Sequence, residues 1–127
     1  MRRLGALTFA AALGLAGAAA AQDAPRVVST FPPPDSVVPA GIGQIQVTYD
    51  RPMMPNSWSF ATGGERAFPA VDGGPVQSDD GKSFSLAVKL EAHTTYVIWL
   101  NTDRYQKFKD EQGHAATPYR LTFTTSE

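Results

Sequence analysis

Residues 80–101 read Asp80-Gly81-Lys82-Ser83-Phe84-Ser85-Leu86-Ala87-Val88-Lys89-Leu90-Glu91-Ala92-His93-Thr94-Thr95-Tyr96-Val97-Ile98-Trp99-Leu100-Asn101. From Ser83 to Val88 the side chains alternate. Phe84, Leu86 and Val88 point one way, and small or polar residues point the other, which is how a half-buried strand is written. Asp80-Gly81 just ahead of this run is a hairpin signal. Thr95 to Asn101 is apolar on both faces, so it belongs at the centre of a sheet or under a cover. The connection Leu90 to Tyr96 brings a tyrosine to the start of that strand. In two-sheet sandwiches such a tyrosine turns a corner, its hydroxyl bonding to backbone a few residues upstream. Tyr96, Ile98 and Leu100 then face the core, and Val97 and Trp99 face outward.

The same period of two extends along the chain. Gln44 to Tyr49 sets Ile45, Val47 and Tyr49 on one face, and Pro118 to Thr125 turns Tyr119, Leu121 and Phe123 inward. Shorter runs at Arg26 to Phe31, Ser57 to Ala61, Ala67 to Val71 and Pro75 to Ser78 read as further strands. Turn clusters separate them: Pro32-Pro33-Pro34-Asp35-Ser36, Gly63-Gly64, Asp72-Gly73-Gly74-Pro75 and Asp79-Asp80-Gly81-Lys82. Helical periodicity is absent. The pattern predicts an all-β, immunoglobulin-like antiparallel β-sandwich of about seven strands.

The start of the chain obeys different rules. Met1-Arg2-Arg3 is basic, Leu4 to about Ala16 is apolar, and small residues lead to Ala21 before Gln22-Asp23. That order is the grammar of a cleaved secretory signal peptide. The apolar run is short of the roughly 20 residues a membrane span needs. The division expected is therefore a signal peptide at 1–21 and one domain at 22–127. Losing Arg2 and Arg3 leaves 9 basic against 12 acidic residues, a net charge of −3. Bulk electrostatics thus argue against nucleic acid as a partner. The chain has no cysteine, which excludes both a disulfide brace and a lipoprotein anchor. No second apolar segment follows, so no membrane anchor is expected and the protein should be periplasmic or extracellular.

Several stretches together resemble the bacterial Ig-like domain family named after the S-layer protein SbsA. They are Val28 to Val38-Pro39 with its Pro-rich turn, Tyr49-Asp50-Arg51-Pro52-Met53, the Asp80-Gly81-Lys82 hairpin, Leu90/Thr94/Tyr96, the loop Asp110-Glu111-Gln112-Gly113-His114, and Phe123-Thr124-Thr125. The chain departs at His93, where that family usually has Gly, at His114, where it usually has Asn, and in a longer segment from Thr102 to Lys109. The resemblance implies scaffold and surface roles and carries no catalytic residues. Gly113-His114 and Phe123-Thr124 also resemble the ending of the periplasmic copper-binding sandwiches of the CopC type. That weaker resemblance implies copper, with His114 and Glu111 as ligands.

Copper(II) needs convergent imidazole and carboxylate donors. The two histidines, His93 and His114, flank one strand whose seven residues separate them by roughly 20 Å at about 3.3 Å each. They cannot share one ion. Met53-Met54 between Pro52 and Pro55 reads as a core plug. Asp103, Asp110 and Glu111 lack the spacing of a calcium loop. No Gly-x-Ser-x-Gly elbow appears, and Asp79-Asp80 are neighbours on a turn. The protein is expected not to be an enzyme and to need no cofactor.

Trp99, Tyr105 and Phe108 are the candidate partner surface. Either Trp99 and Val97 form an outward apolar patch beside a loop bearing Tyr105 and Phe108, or that loop folds over the sheet and covers Trp99; the second arrangement is favoured. The function expected is that of an envelope or periplasmic interaction or structural module, with a protein or glycan as its partner. The alternatives are a copper-binding protein of the CopC type or a carbohydrate-binding module.

Overall fold

A computed structural model describes residues 23–64 and 67–127; the expected signal peptide at 1–21 lies outside them. Among the described residues the chain forms nine strands and one short 3-10 turn. The strands are β1 (Val27–Phe31), β2 (Ser36–Val38), β3 (Gln44–Tyr49), β4 (Phe60–Ala61), β5 (Ala70–Val71), β6 (Val76–Gln77), β7 (Ser83–Lys89), β8 (Thr95–Leu100) and β9 (Tyr119–Thr125). One sheet runs β1-β3-β7-β5, with β6 also paired to β7; the other runs β2-β9-β8-β4. The predicted sandwich is present. Its long strands match the alternation read from the sequence to within a residue or two.

The inner faces are the predicted ones. Ile45, Val47 and Tyr49 on β3, with Phe84, Leu86 and Val88 on β7, meet Tyr96, Ile98 and Leu100 on β8 and Leu121 and Phe123 on β9. Each is buried, and apolar area removed from water supplies most of what holds such a domain together. The tyrosine corner is in place: the Glu91 N–H donates to the Tyr96 hydroxyl at 2.8 Å. At the β6–β7 hairpin the Ser78 N–H donates to the Ser83 carbonyl at 2.9 Å. Gly81 there takes φ +78°, and a Cβ on it would lie 3.4 Å from Pro52 Cβ.

Two local differences have physical reasons. Residues 36–38, of which Ser36 closes the predicted Pro-rich turn, form β2, which pairs in parallel with β9. Pro32, Pro33 and Pro34 have no N–H to continue β1's ladder. The chain crosses to the other sheet, where the Asp35 N–H donates to the Thr122 carbonyl at 2.7 Å. The expected strand at 57–61 contracts to Phe60–Ala61, because the hydroxyls of Ser57 and Ser59 bond to the backbone of Lys107 instead.

Candidate functional site

The segment after β8 shapes the surface. It starts at Asn101, wholly buried and in the left-handed backbone region at φ +68°. Its amide donates to the carbonyls of Phe108 and Ala116, both at 3.0 Å, and accepts the Phe108 N–H at 3.0 Å. Thr102 Oγ1 then accepts the N–H groups of Arg104 and Tyr105, a local turn that competes with strand pairing. The Lys107 N–H donates to Ser59 Oγ at 2.9 Å. The long loop is thus pinned at both ends and along its middle.

Phe108 corrects the partner surface read from the sequence. It is fully buried, with ring centroids 5.3 Å from Tyr49, 5.1 Å from Phe60 and 5.1 Å from Phe84. It neither sits on the surface nor covers Trp99. It fills the core between the sheets, because Asn101 pairs its backbone and turns its ring inward. Trp99 is half-buried on β8, opposite Ala61 and Arg120, while Val97 is buried. Tyr105 remains at the surface, 53% exposed.

Tyr105 lines a groove of about 570 Å³ at one open side of the sandwich. Edge strand β4 contributes Phe60 and Ala61, edge strand β5 contributes Val71, and Trp58, Phe68, Pro75 and Leu86 add to the apolar lining, with Lys107 at the rim. The size is that of a small-ligand site. Trp58 is anchored by an edge-to-face contact with Phe84, centroids 6.4 Å apart. Sequence reasoning missed Trp58 and Phe68. Trp58-Ser59-Phe60 does alternate, which sets both aromatics on one face, and that was the available signal.

A second cluster lies on the 110–114 loop. Asp110 is buried. Its Oδ1 accepts the N–H groups of Gln112 at 3.0 Å and His114 at 2.9 Å. Its Oδ2 accepts from His114 Nδ1 at 3.0 Å and from the Arg51 guanidinium at 3.4 Å. Burial pushes the Asp110 carboxyl up, but the His114 and Gln112 hydrogen bonds outweigh it and hold the group below its ordinary value. Arg51 also pairs with Asp50 at 2.9 Å and donates to the Asp23 carbonyl at 2.8 Å.

This arrangement does not fit copper. Both Asp110 oxygens are already engaged, and Glu111 is exposed. His93 precedes β8 while His114 lies beyond its other end. Among the described residues no group of three His, Cys, Asp or Glu side chains converges, and Asp103, Asp110 and Glu111 make no calcium cage. Met53 is buried in the core and Met54 half-buried, so Met53 is the plug expected of the Pro-flanked pair.

The comparisons with known proteins agree with the architecture. The family described as bacterial Ig-like domain matches residues 21–125. No curated protein matches the chain. Among solved structures, the surface layer protein SbsC, domains 1–6, is similar at TM-score 0.55 and 18% identity, over 84% of this chain and 14% of that one. This chain is therefore the size of one small part of that protein. CopC from Methylosinus trichosporium OB3b is similar at TM-score 0.58 and 15% identity, over 80% of this chain and 93% of that one. At such identities the likeness is one of fold.

Proposed function

Since this chain belongs to the bacterial Ig-like domain family, we propose that it is an exported, non-catalytic interaction module of the periplasm or cell envelope. It engages its partner through the groove between β4 and β5. The observation that carries this reading is the groove itself: a preformed aromatic concavity in which Tyr105 stays exposed while the loop bearing it is pinned by Asn101, Thr102 and Ser59. Exposed aromatic surface held on a rigid frame marks recognition. The chemistry of the lining points the same way, since it offers the hydroxyls of Ser59 and Thr62 but no His or carboxylate beside them among the described residues. The signal-like order of residues 1–21 supports export, which suits a family fold shared with a surface layer protein.

The test is co-sedimentation of the purified domain with bacterial envelope fragments. Wild type and Val28→Ala, a change at an exposed position on the opposite edge strand β1, are expected to sediment alike. Tyr105→Ala is expected to stay in solution. Equal sedimentation of all three, or of none, contradicts the reading.

A further inference from the structure

The charge around the groove runs against the charge of the domain. Lys107 is the charged side chain in the lining, and no carboxylate lines it among the described residues. A second cation lies against the lining residue Tyr105: the Arg104 guanidinium carbon is 5.9 Å from the centroid of its ring, within cation–π range. Both cations are exposed, and neither enters an ion pair among the described residues. On a domain whose net charge without residues 1–21 is −3, two cations with no ion pair among the described residues, beside the exposed Tyr105 ring, make a local positive site.

We infer that the groove takes a segment of anionic glycan, a polymer carrying a carboxylate on its sugar rings. This deepens the reading above and rests on it. The flat face of a pyranose carries C–H groups that pack on aromatic rings such as Trp58 and Tyr105, and its carboxylate then meets Lys107 and Arg104 in charge-assisted hydrogen bonds. A peptide strand fits less well. Strand addition draws its affinity from main-chain hydrogen bonds along a sheet edge, and the flanking edges β4 and β5 are two residues long each. A single-stranded nucleic acid would also stack and carry charge, but an exported domain meets polysaccharide.

The test uses the Trp99→Phe variant, which leaves Trp58 as the one indole of the chain. Its fluorescence is titrated with alginate oligomers, neutral dextran oligomers, oligo-glutamate and oligothymidylate. The inference predicts a saturable change with alginate that weakens as salt rises. Lys107→Gln should lower that affinity about tenfold, and Tyr105→Ala should abolish it. Lys107→Gln keeps the backbone groups that Ser57 and Ser59 hold, so the loop stays in place. Dextran binding as well as alginate, oligo-glutamate or oligothymidylate doing so, or a flat alginate titration would each overturn the inference. Flat titrations beside Tyr105-dependent envelope binding remove the glycan and leave the module; failure of both experiments removes both.

Discussion

The Asn101 side chain pairs with both backbone groups of Phe108, accepting its N–H at 3.0 Å and donating to its carbonyl at 3.0 Å. One buried amide thereby replaces a strand partner for a loop residue. It closes the core with the Phe108 ring and, a few residues earlier in the same loop, leaves Tyr105 at the rim of the groove.

Asn101→Ala strands two buried backbone groups, the Phe108 N–H and the Ala116 carbonyl, while the Phe108 carbonyl still accepts the Ala116 N–H at 2.8 Å. At about 1–3 kcal/mol for each polar group left unpaired in the interior, a loss of roughly 2–6 kcal/mol is expected in urea unfolding. Asn101→Gly relieves the backbone at φ +68° yet recovers only a small part of that loss. A cost under about 1 kcal/mol for Asn101→Ala would mean the loop is held by something else.

Tyr49 behaves in the opposite way. Its hydroxyl is buried with no hydrogen-bond partner among the described residues, and burial pushes its phenol far above the ordinary range. Removing an unpaired polar group from the interior costs nothing in polar energy. Tyr49→Phe should therefore melt within a degree or two of wild type, or above it. A loss of about 1 kcal/mol or more would reveal a partner for the hydroxyl.

Asp110 sets a direction for acid lability. Its folded carboxyl titrates below the ordinary value, so the unfolded chain takes up the proton first as pH falls. The stability it lends is fully present above the unfolded value near 3.9 and is lost as pH falls through the folded one. Wild type should lose stability between about pH 5 and pH 2. Asp110→Asn should start about 1–2 kcal/mol lower at neutral pH and depend less steeply on acid. Parallel curves for the two proteins would sink this assignment.

His93 occupies the left-handed region at φ +53°, where glycine has no Cβ penalty. That explains why the family resemblance places Gly at this position. His93→Gly should raise stability by about 0.5–1 kcal/mol, equivalent to several degrees in thermal unfolding. A lower melting temperature would contradict it.

How much of this was legible in the chain depends on whether the information is periodic. Strands β3, β7, β8 and β9 announce themselves because one face of each is buried, and burial writes a period of two into the residues. The tyrosine corner and the Asp80-Gly81 hairpin were readable because each is a local motif with a fixed offset. Phe108 was not, since its placement depends on an amide seven residues upstream, and Asn101 looks like any strand-ending polar residue. The groove was missed for a related reason: Trp58, Phe68 and Tyr105 come from three separate segments, and only the closing of two sheet edges brings them together. The aromatic and basic residues of 99–109 did mark the right neighbourhood, but their division into core and rim is a tertiary fact.

Amide hydrogen exchange of the domain, free and bound to envelope fragments, tests the groove most directly. Binding should slow exchange over residues 58–62, 68–73 and 104–107. Protection concentrated instead at the β1–β2 edge, around Val28, Phe31 and Val37, or on the loop that ends at His114, would contradict the account.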